Sequence, residues 1–169
     1  MLIAQLSTAV ELYASEKNRD GLRELIAATL IGLLDAATPE SDHQLQFAKG
    51  FANTAITPAQ LARIAAMLGG SITGLTIDAE LRWFLFICGV KRGVFGPADI
   101  ETELALDKTA HGKQYGAMAY AQIPSKGAKA KAFSSITTDD LSNTIHSYTC
   151  RGFNDPLHTE ILADFVDEY

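Results

Sequence analysis

The sequence predicts an all-α fold built from antiparallel helix pairs. Proline supplies the first observation. Four of the five prolines directly follow a residue suited to helix capping, in Thr38-Pro39, Thr57-Pro58, Gly96-Pro97 and Asp155-Pro156. At the first helical position the missing proline N–H costs nothing, because it would have no intrahelical partner there. The second observation is that apolar residues recur at helical spacing between these starts. The third is that no segment sustains the alternation of a strand. Short connections then force successive helices to run antiparallel.

The elements follow in order. Leu2, Ile3, Leu6, Val10 and Tyr13 form an apolar face over Leu2–Ala14, with no cap before it. Such a start suits either a piece cut from a longer protein or an ordinary frayed N-terminal helix. Leu22, Leu25, Ile26, Leu30, Leu33 and Leu34 form a stripe over Arg19–Ala36. The next helix is expected over Pro39–Asn53. Thr57-Pro58-Ala59-Gln60 has capping-box spacing and opens Pro58–Leu68, where Leu61, Ile64, Ala65 and Leu68 face one way and Gly69-Gly70 ends the run.

Ile77–Val90 begins with the most heavily signalled start in the chain. Thr76 is placed to cap it, Asp78 and Glu80 put negative charge at the positive end of the helix dipole, and Asp78 and Arg82 stand one turn apart. Trp83-Phe84-Leu85-Phe86-Ile87-Cys88 is apolar all round, as in a helix buried on every side. The remaining spans are Pro97–Leu106, Ala110–Gln122 with Thr109 as cap, Lys126–Ser134 after Pro124-Ser125, Asp139–Cys150 with Thr138 as cap, and Pro156–Glu168 with Leu157, Ile161, Leu162, Phe165 and Val166 on one face. The small residues Gly112, Gly116, Ala117 and Ala119 let neighbouring helices approach closely. A row of such pairs makes either a compact bundle or a curved solenoid of the HEAT type.

Composition narrows the function. The chain has 169 residues, 47% of them hydrophobic, which suits one domain, 1–169, or one module of a larger protein. Its formal net charge of −6 disfavours nonspecific nucleic-acid binding, which needs Lys and Arg against phosphates. The local basic cluster Lys126, Lys129 and Lys131 reads as a solvated helix face. No apolar run is long enough to span a membrane, and no signal peptide is evident. Cys88 and Cys150 lie far apart in sequence and read as two buried thiols in a reducing cytosol.

Candidates for chemistry are few. Among His43, His111, His146 and His158, no two have the spacing of an H-E-x-x-H zinc helix, so no metal site is expected within this chain. His146 and Cys150 share one helix face, an arrangement open to a nucleophile–base pair or half a metal site, but no oxyanion-hole motif accompanies them. Gly93-Val94-Phe95-Gly96-Pro97 lacks the ending of a phosphate loop and reads as a turn. Asp155, Glu160, Asp164, Asp167 and Glu168 read as a solvated face, with Asp164 and Glu168 as like charges one turn apart.

The run Gly74-Leu-Thr-Ile-Asp-Ala-Glu-Leu-Arg-Trp83 resembles the stretch that opens one helix in the C-terminal domain of aminopeptidase N enzymes, especially the actinobacterial type. Ile100 to Gly112, with Glu103-Leu104, Asp107, Thr109 and Gly112, resembles that family's E-L-x-x-D-x-T-x-x-G segment. Ile123 to Phe133 is similar to its P-x-x-x-x-K-x-x-A-W segment, with Phe133 where Trp is usual. Gly152-Phe153 and Leu162 to Tyr169 are similar to its last helix. The likeness is strongest over residues 57–169. Val90 to Phe95 departs from the family loop, and Tyr169 stands where an aromatic pair is common.

The resemblance implies an all-helical bowl of HEAT-like pairs, the C-terminal domain of a zinc aminopeptidase that removes N-terminal residues from peptides. In that family a separate domain holds the zinc through H-E-x-x-H and a downstream Glu. This chain would then carry no catalytic, cofactor or metal residue, and would be inactive alone. Its partners would be the catalytic domain of the same parent chain and the peptide substrate, with no nucleic acid or membrane, in the cytoplasm. It would cap the catalytic cleft and control peptide access. Two alternatives remain at this point: a free-standing helical-repeat adaptor binding a protein on its concave face, and a small enzyme using His146 and Cys150.

Overall fold

A computed structural model describes residues 2–138 and 140–168, without the side chains of Asp167 and Glu168. Met1, Asp139 and Tyr169 lie outside the described residues, and so do the expected helix start at Asp139, the terminal Tyr169 of the resembling segment and the Asp164–Glu168 pairing. The described residues form helices and connecting turns with no strand, as expected. The helices are α1 Leu2–Thr8, continued by a π-helical turn Ala9–Tyr13, α2 Glu16–Ala36, α3 Asp42–Thr54, α4 Pro58–Leu68, α5 Ala79–Val90, α6 Pro97–Leu106, α7 Ala110–Gln122, α8 Lys126–Thr138, α9 Asn143–Phe153 and α10 Thr159–Leu162. Short 3₁₀ pieces, Pro156–His158 and Ala163–Glu168, flank α10. The chain divides into two compact units, Met1–Cys88 and Gly89–Tyr169.

Local chemistry sets the helix starts. Thr57 accepts from Gln60 N–H while the Gln60 side chain accepts from Thr57 N–H, which completes the expected capping box. Thr109 caps α7 through Gly112 N–H, also as expected. Gly96 precedes α6, and its N–H is bonded by Asp99 at 2.8 Å.

Three expected caps are displaced. The helix after Pro39 starts later, because Glu40 takes a left-handed φ of 65° and Ser41 then caps through Gln44 N–H. In α5 the cap is Asp78, not Thr76: Asp78 Oδ1 accepts from Leu81 N–H at 2.7 Å. Thr138 closes α8 instead of opening α9; its hydroxyl donates back to the Ser134 carbonyl, and Ser142 caps α9. The expected final helix is broken into α10 and its 3₁₀ flanks, because Asp155 bonds Leu157 N–H and the tight turn swings His158 inward.

In the first unit the core joins α2, α3, α4 and α5 through Leu34, Phe51, Ile64, Met67 and Leu85, all 1% exposed or less. Trp83 and Phe86 meet edge to face, with ring centroids 5.8 Å apart. The α5 run is buried from Leu81 to Val90 except for half-buried Arg82 and Phe84, close to the expectation for an all-apolar helix. Arg82 donates to the Leu68 carbonyl at 3.4 Å. Gly50 on α3 lets α1 and α2 close in: a Cβ there would meet Ile3 Cγ2 at 2.8 Å and Leu30 Cδ1 at 3.0 Å.

The α2 stripe faces differently from the sequence reading. Arg23, Ala27, Leu30 and Leu34 point inward, while Leu22, Leu25 and Leu33 face solvent. The cause is electrostatic: Glu11 from the π turn pairs with Arg23, and Asp20 bonds it at 2.7 Å, so a satisfied guanidinium takes the inward position.

In the second unit α7 packs against α6, α8 and α9. The approach of α7 and α9 depends on Gly152, where a Cβ would overlap the Met118 carbonyl and lie 3.0 Å from Ala121 Cβ. Gly116 lies close against the Leu104 side chain of α6, where a Cβ would meet Leu104 Cδ2 at 2.6 Å. The small residues of α7 therefore serve close packing, as the sequence implies.

Candidate functional site

The second unit contains a groove of about 1020 Å³ between the start of α6, the faces of α7 and α8, and α9. Ala117, Ala121, Ala128 and Ala132 are among its lining, and Glu101, Tyr120 and Lys131 join serine and threonine hydroxyls as its polar groups. Small side chains make it wide because little projects into it. The Tyr120 hydroxyl donates to the Glu101 carboxylate. Burial and that carboxylate push the Tyr120 phenol up to about 12, so it is a donor at neutral pH.

Beside the groove lies a buried polar cluster. Lys129 is fully buried, and its ammonium donates to the carbonyls of Ala121 at 2.8 Å, Gly152 at 3.1 Å and Phe153 at 2.9 Å. These carbonyls close the C-terminal ends of α7 and α9, where a positive charge complements both helix dipoles. Asp155, also buried, receives the Gln122 amide. Burial pushes the Lys129 ammonium down to about 8, against the pull of Asp155. The reading of Lys129 as part of a solvated face is thus corrected. Its two neighbours behave as expected: Lys131 is exposed, and Lys126 bridges to Asp164 at 2.6 Å in solvent.

The histidines are dispersed. His43 stacks on Phe47 with centroids 5.9 Å apart, His111 is exposed, and His158 is buried. His146 Nδ1 and Cys150 Sγ stand 3.7 Å apart on α9, so the expected shared face is real. Thr149 beside them is committed to the Ile145 carbonyl. Neither cysteine is in a disulfide; Cys88 is buried as expected, but Cys150 is half-buried rather than buried. Among the described residues no group of three His, Cys, Asp or Glu side chains is placed to hold a metal ion. No helix among them is long and apolar enough to cross a membrane.

The first unit presents a different feature. The outward faces of α1, the π turn and α2 carry Leu2, Leu6, Leu12, Tyr13, Leu22, Leu25 and Leu33 in solvent, with Leu2 70% and Leu25 63% exposed. Exposed leucines scattered singly need no explanation, but a helix apolar on both faces does. Sequence periodicity locates these leucines without telling inner from outer; the groove left only the faint signal of an alanine- and glycine-rich α7.

The family model described as the ERAP1-like C-terminal domain matches residues 1–169. Aminopeptidase N of Streptomyces lividans is 37% identical over 168 residues, which cover 98% of this chain and 20% of that protein. The chain therefore spans one fifth of the length of this relative.

Proposed function

The chain belongs to the ERAP1-like C-terminal domain family, and on that premise we propose that it is the non-catalytic C-terminal domain of a zinc aminopeptidase. The parent protein removes N-terminal amino acids from peptides. This domain docks on the catalytic region, caps its cleft and controls which peptides enter. It works as one domain, 1–169, in the cytoplasm, where thiols such as Cys88 and Cys150 remain reduced.

The observation that carries the reading is the family match over the whole chain, strengthened by a relative named aminopeptidase N at 37% identity. In this reading the metal and its chemistry belong to another part of the parent protein, as the relative's greater length allows. What this chain contributes is surface and shape. The outward leucines of α1 and α2 are the docking face, since returning an exposed leucine to an apolar contact contributes ~1.5–3 kcal/mol. The groove between α6 and α9, lined by alanines together with Glu101, Tyr120 and Lys131, is the surface turned toward peptide.

A binding experiment tests this. The 169-residue chain and the remainder of its gene product, expressed separately, are expected to associate. The double substitution Leu22→Glu and Leu25→Glu is expected to weaken association by tenfold or more, on the order of 1.4 kcal/mol. Unchanged association of the double variant removes the docking face from the account.

A further inference from the structure

The buried cluster of the second unit has no place in the peptidase reading. His158 enters it from the 3₁₀ turn after α9, with its Nε2 2.9 Å from the Lys91 carbonyl oxygen. A carbonyl only accepts, so Nε2 carries the proton in the neutral ring and Nδ1 is bare. Nδ1 is itself buried and has no partner. A proton arriving there creates a buried N–H with no acceptor. It also adds a second positive charge to a cluster in which Lys129 from α8 is already balanced by Asp155, with Lys91 on the remaining side.

The segment that carries His158 is weakly built. From Asp155 onward it consists of the 3₁₀ turn, the four residues of α10 and a second 3₁₀ stretch. Such pieces open locally at low cost. Its other attachments among the described residues include packing of α10 on α8, the Asp155 bonds, the exposed Lys126–Asp164 bridge and Phe165, which packs on Phe133 and Phe153 at centroid distances of 5.2 and 5.5 Å.

We propose that residues 155–168 form an acid-released latch, seated on the second unit while His158 is neutral and freed when a proton enters at Nδ1. Release withdraws Phe165 and uncovers the aromatic pair Phe133 and Phe153. The sign follows from the geometry. Burial, reinforced by the Lys129 and Lys91 charges and opposed by the Lys91 carbonyl and Asp155, draws His158 below its ordinary value. The open segment therefore binds more protons than the seated one below about pH 6.5. Opening is easier as pH falls, by up to about tenfold per pH unit, until the seated-state value is passed.

Amide hydrogen exchange of the 169-residue chain, followed from about pH 7.5 to about pH 5 with the histidine ring signals recorded in parallel, tests the latch. Protection of the amides of residues 157–165 is expected to fall with the same midpoint as the His158 ring titration, while α2 and α3 keep theirs. His158→Gln keeps a donor toward the Lys91 carbonyl and does not titrate, so it is expected to flatten the pH step. A midpoint that departs from the ring titration, a fall shared by α2 and α3, or an undiminished step in H158Q overturns the latch. If H158Q does not fold, the match of midpoints in the unaltered chain decides alone.

Discussion

Substituting Gly152→Ala tests the contact that holds the second unit together. The new Cβ overlaps the Met118 carbonyl and stands 3.0 Å from both the Met118 carbonyl carbon and Ala121 Cβ. Because the obstacle is backbone in the middle of α7, no side-chain rotation relieves it, and α7 and α9 must part. Lys129 spans the same two helices at 2.8 to 3.1 Å, so a separation of about an ångström carries its bonds past normal length. Overpacking costs ~1–3 kcal/mol, a weakened charged hydrogen bond costs about another 1.5–3 kcal/mol, and the helix propensity of Ala returns about 1 kcal/mol. The net expectation is a loss of ~1.5–5 kcal/mol, read as a lower urea midpoint at unchanged slope. Gly32→Ala is the control: α2 is open there, with nothing within 4 Å of the added methyl, and a gain of roughly 0.5–1 kcal/mol is expected. If G152A unfolds within about 0.5 kcal/mol of the unaltered chain, the close approach of α7 and α9 is not a stability determinant and the reasoning fails.

Other outcomes follow from single observations. Gly74→Ala forces φ of 78° on a residue with a Cβ and brings that Cβ to 2.5 Å from Pro39 Cβ; thermal melts should show a loss of ~1–3 kcal/mol. Thr57→Ala removes one half of the α4 capping box and should cost about 1 kcal/mol in urea titration. Lys129 holds its proton less tightly when folded, at about 8 against 10.5 unfolded. The unfolded chain therefore binds more protons between those values, and stability should rise across that window by up to about 3 kcal/mol. Lys129→Met should abolish the rise, as followed by urea midpoints at stepped pH.

What the sequence discloses depends on how local the cause is. The capping box at Thr57 and Gln60 and the cap at Thr109 need only neighbours in sequence, and both are legible there. The buried character of α5 follows from its own composition. The face of α2 is not legible, because its leucines occupy both sides and the choice is made by Glu11, which comes from a preceding turn to satisfy Arg23. Lys129 looks like any lysine on a basic helix. Its burial is caused by carbonyls at the ends of α7 and α9; the family segment from Pro124 to Phe133 marks the position, but helical periodicity does not reveal that it is buried. The groove is similarly silent, since it is made by side chains too small to fill it. The family resemblance is legible in Gly74–Trp83 and the segments after it, strongest over residues 57–169, and the match extends it to residues 1–169.

Hydrolysis of an aminoacyl p-nitroanilide, measured for the 169-residue chain and for the product of the whole reading frame that contains it, addresses the central claim most directly. The account predicts no hydrolysis by the chain alone and hydrolysis by the whole product that a zinc chelator abolishes. Hydrolysis by the chain alone, or none by the whole product, contradicts it.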